Sequence, residues 1–404
     1  MAHIRERYLE TNIKKCMQFS GLVGILGHRQ VGKTTLLEKL CPTYYTLDKK
    51  TEADEARQDP ASYLQKRAKI GVGLDECQTV PELFPELKEW VRLHKKPGQF
   101  MLSGSVRFTS REAIRESLTG RIINLELHPF TVSELEHRPL PSFCSDVIGL
   151  DSFDPIRNWS LKTKSELKQL QPQIDRYFHT GGLPGICFVR DESLRNQKIN
   201  EQMTTLLDRD LRMVKKILLP LSDLRAIVDS LAALQGQPLD YTRIKRDSGI
   251  STPTIKKVLQ ALEAIYIIRF LPIEGSTQGS TCFFEDQAEH VFLRRNTIDP
   301  LESLIHFCFT QLRVQFEYRL GLNTLLFQYR TRSGAMVPLA FKNKEGCLGI
   351  LPVKSIDRIS SALGSAQSFL RTYSRSKVLI LYPEAEKPQL IQSRILALSL
   401  GQVV

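Results

Sequence analysis

No hydrophobic run in the chain approaches the length that spans a bilayer, and residues 1–18 mix Arg, Glu and Lys where a signal peptide would have its apolar core. A membrane protein is excluded on this reading, and the expected compartment is the cytoplasm. The eight cysteines are scattered, with no C-x-x-C pair and no Cys/His grouping at metal-ligand spacing. That excludes a disulfide framework and a zinc-type site, and leaves reduced, mostly buried thiols as the expectation. Internal repeats and long low-complexity tracts are also missing. Acidic residues are in deficit, 44 Asp and Glu against 56 Lys and Arg, for a net charge of +12. The imbalance points to polyanionic partners such as nucleic acid, or to a solvated basic surface. What remains, at 404 residues with 42% hydrophobic and 25% charged, is a globular protein too long for one core, with two or three domains expected.

The stretch that organises the chain is 22–40. A short apolar run leads into Gly27-His28-Arg29-Gln30-Val31-Gly32-Lys33-Thr34-Thr35 and then an amphipathic continuation. Gly, four residues, Gly, Lys and Thr are the parts of a phosphate cradle between a strand and a helix. A loop whose backbone N–H groups all turn inward around a phosphate has no room for side chains at its two tightest points, and Gly27 and Gly32 supply those points. Lys33 is placed to reach the β- and γ-phosphates, and the Thr34 hydroxyl to ligate Mg²⁺. The helix that opens near Lys33 adds its N-terminal N–H groups.

Strand and helix signals alternate downstream. Residues 22–26, 44–47, 70–74, 100–103 and 122–127 read as strands, with helices at 34–40, 61–66 and 85–95. The alternation predicts right-handed crossovers and a doubly wound, three-layer α/β domain. Asp75 and Glu76 fall where an apolar strand ends, so Asp75 can hold Mg²⁺ and Glu76 can polarise the water that attacks the γ-phosphate. A surface turn would carry the same pair without chemistry. Ser105, in Ser103-Gly104-Ser105, is placed to sense the γ-phosphate, with a plain turn as the alternative. Arg121 is a candidate arginine finger, within the chain or on a neighbouring subunit, with a structural salt bridge as the alternative.

Residues 27–35, Leu74-Asp75-Glu76-Cys77-Gln78, Leu102-Ser103-Gly104-Ser105, Ser117-Leu118-Thr119-Gly120-Arg121 and Pro129-Phe130-Thr131-Val132-Ser133-Glu134 follow one another like successive motifs of a known group. In order and spacing they resemble an AAA+-like family of prokaryotic P-loop ATPases that carry an uncharacterised C-terminal domain. The resemblance implies ATP and Mg²⁺ at the phosphate cradle. Residues 177–184, with Gly181-Gly182-Leu183-Pro184, and Asp208-Arg209-Asp210-Leu211 also resemble segments of this family. Arg209 and Asp210 read as an interdomain ion pair rather than as catalysts.

Pro139-Leu140-Pro141-Ser142 marks a boundary, because closely spaced prolines disfavour both helix and central strand. The expected division is a P-loop NTPase domain at 1–140, a helical linker with a winged-helix unit at 141–275, and a small α/β restriction-endonuclease-like domain at 276–404. In the middle unit, 241–247 and 252–264 read as two helices around a short turn, followed by a strand at 265–271. Ile255, Val258, Leu259 and Leu262 stand at helical spacing and make a core face. The pattern resembles a winged helix whose second helix enters a major groove, with Arg243, Lys245, Arg246, Lys256 and Lys257 as phosphate contacts. Many winged helices instead pack only against protein.

Residues 275–281 read as a Gly/Ser/Thr joint. Beyond it, helix 301–312, strands at 325–329, 337–341 and 349–353, helix 360–373 and strand 378–382 resemble the PD-(D/E)xK nuclease-like domain that closes the same family. An active member would hold Mg²⁺ with an acid from the first helix, a strand Asp and a Glu two residues before a Lys. Glu302 and Lys354 remain, but Pro338 stands where the strand Asp would be and Pro352 where the Glu would be. One carboxylate cannot replace the oxygen ligands a hard divalent ion needs, so a nuclease scaffold without cleavage is expected, with Glu302 and Lys354 structural. The functional expectation is an ATP-hydrolysing switch protein that couples nucleotide state to DNA or an unknown protein partner. The alternative is a regulator that holds nucleotide without turnover.

Overall fold

The fold is a computed structural model that describes residues 4–67, 71–107, 120–295, 297–319 and 323–404. Strands β1 (Leu22–Leu26), β2 (Thr43–Thr46), β3 (Val72–Asp75), β4 (Phe100–Gly104) and β5 (Ile122–Glu126) form one parallel sheet in the order β2-β3-β4-β1-β5. β1 and β4 are buried at every residue, as interior strands of a parallel sheet must be when helices cover both faces. The expected helices are found as Lys33–Leu40, Pro60–Arg67 and Leu83–His94. Pro60 opens its helix, and Asp59 Oδ1 accepts from the Ser62 N–H at 2.9 Å. Helices Leu9–Met17 and Lys50–Gln58 were not anticipated; the first buries Leu9, Ile13 and Cys16, a helical spacing, with Leu9 and Ile13 in the core that holds Ile25 and Val31.

A second sheet of eight strands adds β6 (Ile268–Gly275), β7 (Gly279–Phe284), β8 (Leu325–Arg330), β9 (Met336–Lys342), β10 (Cys347–Pro352), β11 (Ser376–Tyr382), β12 (Gln389–Gln392) and β13 (Ile395–Ser399). Its order is β12-β13-β11-β10-β9-β8-β6-β7, with helices Pro300–Glu317 and Ile359–Thr372 supplying separate cores on its faces. β9 and β10 are interior strands in spite of their prolines. Pro338 falls where the β8–β9 register shifts, and Pro352 closes β10, so each sits where a missing N–H disturbs the ladder least.

No break in the fold falls at the expected boundary 275/276. Residues 275–281 lie at the turn of the antiparallel β6–β7 hairpin, and β6 also pairs with β8, so the hairpin runs on into the eight-stranded sheet. Gly, Ser and Thr serve a tight turn as well as a linker, which is why composition misread it. The expected 141–275 unit is divided as well. Helices Phe143–Val147 and Lys164–Thr180 pack into a core with residues of β9, β10 and β11, whereas Leu221–Ala232, Tyr241–Ser248 and Thr252–Ala264 share another with the hairpin. No helix among the described residues is long and apolar enough to cross a membrane.

Candidate nucleotide site

All five strands of the first sheet are parallel, so the loops after β1, β3 and β4 emerge on one edge. The loop after β1 turns at Gly27 (φ 155°) and Gly32 (φ 101°), and a Cβ on Gly27 would lie 2.4 Å from the Leu127 carbonyl oxygen. Gln30 also has positive φ, at 60°, strain of the kind that surrounding structure must hold in place. Lys33 begins the following helix, buried, with Nζ donating to the carbonyls of Gly27 at 3.1 Å and His28 at 2.9 Å. Burial pushes its pKa down, while Glu76 and Asp75 pull the other way.

Asp75, at the end of β3, is a shared acceptor. Thr34 Oγ1 donates to its Oδ2 at 2.7 Å and the Tyr44 hydroxyl to the same oxygen at 2.8 Å, while the Ser103 hydroxyl donates to Oδ1. A hydroxyl and a carboxylate oxygen brought together in this way are hard donors, and they fit the Mg²⁺ that the motif implies. Glu76 follows in a left-handed conformation, φ 56°, with its N–H donating to Ser103 Oγ at 3.2 Å. Its carboxylate accepts from the Gln78 amide and, at 3.2 Å, from the Ser105 hydroxyl, while Gln78 Nε2 also donates to Ser105 Oγ at 3.1 Å. Lys33, Thr34, Asp75, Glu76 and Ser105 are therefore brought to one place.

Arg121 is not. It stands immediately before β5, whose Ile122 is paired with Leu22 at the start of β1. The P-loop leaves the other end of β1, roughly 16 Å away at about 3.3 Å per strand residue. The expectation of a finger acting within the chain is corrected by this placement, which leaves the structural ion pair, with the charge of Glu89 within its reach, and action on a neighbouring subunit. Ser117, Leu118 and Thr119 of its motif lie outside the described residues.

The other loop residues reach outward to downstream segments. His28 Nε2 lies 3.3 Å from Glu289 Oε1 on helix Gln287–Leu293; burial pushes the imidazole pKa down, but Glu289 outweighs it and the net direction is up. Arg29 Nη1 donates to Asp210 Oδ2 at 3.1 Å, so Asp210 does form an ion pair between segments, with a P-loop residue. Gly32, Thr35 and Leu36 line a cleft of 440 Å³ whose far wall includes Phe130, Pro184 and Phe188.

Residues missed from sequence brace this loop. Buried Arg7 donates from Nη1 to the Val31 carbonyl at 2.8 Å, reaches the His128 carbonyl through Nη2, and pairs through Nε with Glu134 at 3.2 Å. Glu134 in turn closes a capping box with Thr131, so the motif at 129–134 holds the brace that holds the P-loop. The Thr-x-x-Glu pattern was readable; nothing marked Arg7. Gly182 has a comparable role: its N–H donates to Asp286 Oδ2 at 2.7 Å, and a Cβ on it would lie 2.1 Å from the Phe130 carbonyl oxygen. Burial, with Glu289 nearby, raises the Asp286 pKa to about 7.

Glu126, His128 and Glu285 bring ligand atoms within 4.8 Å of one another. Guanidinium groups already occupy that space. Arg269 bonds to both carboxylates, Arg313 to Glu285, and Arg107 lies 3.6 Å from Glu126, so the group is a buried ion network joining the two sheets and not a metal site.

Residues 20–136 match the family described as "AAA domain". The match supports a P-loop ATPase family. Residues 171–275 match a family described as "Domain of unknown function (DUF8612)". Uncharacterized proteins of Mycobacterium bovis and Mycobacterium tuberculosis are each 25% identical over 272 residues, 66% of this chain and 53% of theirs, so the chain spans about half the length of the curated relatives it matches. Among solved structures, the Walker-type ATPase of Pyrococcus abyssi aligns with a TM-score of 0.44 and 16% identity, over 72% of this chain and 96% of that one.

Proposed function

We propose that the protein binds ATP with Mg²⁺ and hydrolyses it, and that the nucleotide state is passed to the downstream units. The observation that carries this reading is the pair of linked hydrogen-bond groups facing Lys33: Thr34–Asp75–Ser103, and Glu76–Gln78–Ser105. Lys33 would exchange the loop carbonyls for the β- and γ-phosphates. Thr34 and Asp75 would hold Mg²⁺, which supplies charge neutralisation at the phosphates. Glu76 takes a proton from the attacking water as its oxygen bonds to the γ-phosphorus, and the β–γ bridging oxygen leaves with the electron pair of the broken bond. The 440 Å³ cleft beside Thr35 offers aromatic and apolar walls to the base and ribose.

Coupling begins at Ser105. The next residue, Val106, is buried in the core of the three helices and hairpin, and Arg107 donates from its backbone to the Ala264 carbonyl at 2.8 Å and from Nε to the Glu263 carbonyl at 3.1 Å. A shift of Ser105 at the γ-phosphate therefore pulls on the end of helix Thr252–Ala264. We read this unit as a winged helix that contacts DNA phosphates through Arg243, Lys245, Arg246, Lys256 and Lys257; Lys256 and Lys257 are exposed, while Asp247 offsets Arg243 and Arg246 at 3.7 and 3.2 Å. The eight-stranded unit is read as a nuclease-like scaffold without cleavage.

A second reading, nucleotide holding without turnover, is favoured by the engagement of Glu76 with Gln78 and Ser105. Steady-state ATPase, with and without DNA at several salt concentrations, separates the two: hydrolysis above background supports the first, and tight ATP binding without phosphate release supports the second.

A further inference from the structure

The buried Asp210 carboxylate, at the mouth of the P-loop, is shared by two arginines. Its Oδ2 accepts from Arg29 Nη1 at 3.1 Å, and its Oδ1 lies 3.5 Å from Arg209 Nε. The far end of the Arg209 guanidinium, Nη2, lies 3.6 Å from Asp48 Oδ1. Asp48 stands just past β2 on the edge that carries the site, where the adjoining Leu47 N–H bonds to the Asp75 carbonyl at 3.0 Å. Arg209 thus links the P-loop flank, through Asp210, to the tail of β2, through Asp48. Arg29, Asp210, Asp75 and Glu76 all lie close enough to Lys33 to act on its charge.

The two arginines are held differently. Arg29 is mostly buried and within hydrogen-bond distance, whereas the Arg209 side chain is 51% exposed and both of its ion-pair contacts are at the long end of the range. The segment that carries it, Leu206–Asp210, is π-helical between the α-helices Glu192–Thr205 and Leu211–Val214. A widened turn of this kind moves a side chain out of helical register and recurs at functional sites. Two guanidinium groups on one carboxylate also leave a positive charge that Asp48 only loosely balances.

We propose that Arg209 is the cation that meets the γ-phosphate within the same chain, with Asp48 as its resting partner and Asp210, fixed by Arg29, as the pivot. This rests on the nucleotide reading above and supplies what Arg121 cannot. Arg209 makes no covalent bond; it offsets charge on the γ-phosphoryl oxygens as the bridging bond breaks.

The test compares wild type with Arg209→Ala, Arg209→Lys and Asp48→Ala by titration with fluorescent ATP and ADP, steady-state turnover and thermal melting. Arg209→Ala should lower kcat on the order of 10³-fold, the effect of losing such an arginine, and should weaken ATP binding while leaving ADP affinity and the melting temperature unchanged. Arg209→Lys should restore part of the preference for ATP, and Asp48→Ala should retain or increase it. An Arg209→Ala protein with wild-type turnover and a wild-type ATP-to-ADP affinity ratio overturns the proposal. So does an equal loss of both affinities or a fall in melting temperature, which would make Arg209 a structural pair. If wild type binds nucleotide but does not turn it over, the affinity ratio still decides. If wild type binds neither nucleotide, the failure lies in the nucleotide reading itself, and the role of Arg209 falls with it.

Discussion

Each sheet of this molecule has a candidate site beside its strands, and the two are chemically opposite. At the first, Lys33, Thr34, Asp75, Glu76, Ser103 and Ser105 converge and hydrogen-bond to one another or to the loop. At the second, a cleft of 400 Å³ beside β9 and β10 is lined by Leu301, Ile305, Met336, Pro338, Leu351 and Pro352, with Lys354 at its rim and no carboxylate among its described lining residues. Glu302 and Lys354 are engaged with other side chains: Glu302 lies 3.2 Å from His290, and Lys354 pairs with Asp299 at 2.7 Å. An α/β frame stands without polar groups at its strands because apolar burial holds it, so architecture alone does not report activity.

The largest effect that would break this contrast is at Lys33. Lys33→Ala removes charge-assisted bonds to two phosphates at roughly 1.5–3 kcal/mol each, so ATP affinity should fall by about 10² to 10⁴. Undiminished binding of a labelled ATP analogue by that variant would refute the assignment of the first site. Next in size is Glu76→Gln. Loss of a general base costs about 10² to 10⁴ in rate, so turnover should fall by that much with ATP affinity retained. A variant that hydrolyses at the wild-type rate would show that Glu76 is part of a turn and that another group moves the proton.

How much of this was legible in the sequence depends on the kind of signal. That Gly27 and Gly32 would shape a tight turn ahead of Lys33 was legible from residue types at fixed spacing, and that Asp75, Glu76 and Ser105 would come to the same edge was legible because parallel strands deliver their following loops there; their roles remain the proposal above. Arg121 was misplaced for a reason the same topology explains: it precedes its strand, so it lies at the far edge. Arg7 and Gly182 act through contacts with residues distant in the chain, Val31, Phe130 and Asp286, which no local pattern encodes. The β6–β7 hairpin was hidden because its turn has the composition of a linker, and β12 and β13 because short strands near the chain end carry little periodicity.

A smaller effect sharpens the contrast at the unit between the two sites. Lys256 and Lys257 are exposed on helix Thr252–Ala264, off the buried stripe of Ile255, Val258, Leu259 and Leu262, and Lys256 sits over the Tyr241 ring at 5.3 Å. If both contact DNA phosphates, replacing them with Ala should weaken binding about equally across sequences. The slope of log affinity against log salt should flatten by roughly one unit for each phosphate that is no longer neutralised. Fluorescence anisotropy with two unrelated duplexes at several salt concentrations checks this, and an unchanged slope would assign the unit to protein contacts.

The smallest effect is expected at the second site. Lys354 and Asp299 are about half exposed, and an ion pair at such a surface contributes roughly 0 to 1 kcal/mol, so Lys354→Ala should leave the melting temperature nearly unchanged. Chemistry should be equally unaffected. Cleavage with a divalent ion needs several oxygen ligands around the scissile phosphate, and the described lining offers apolar side chains, two prolines, the cations Lys354 and Arg358 and the hydroxyls of Ser361 and Ser365, with no carboxylate. Plasmid or single-stranded DNA incubated with the wild-type protein and Mg²⁺ or Mn²⁺ should therefore stay intact, and Pro352→Glu alone should not create cleavage, because Pro338 still withholds the second acid. Cleavage by wild type that disappears in Lys354→Ala would mean that a carboxylate from outside the lining reaches the cleft. The contrast between the two sites would then be one of degree and not of kind.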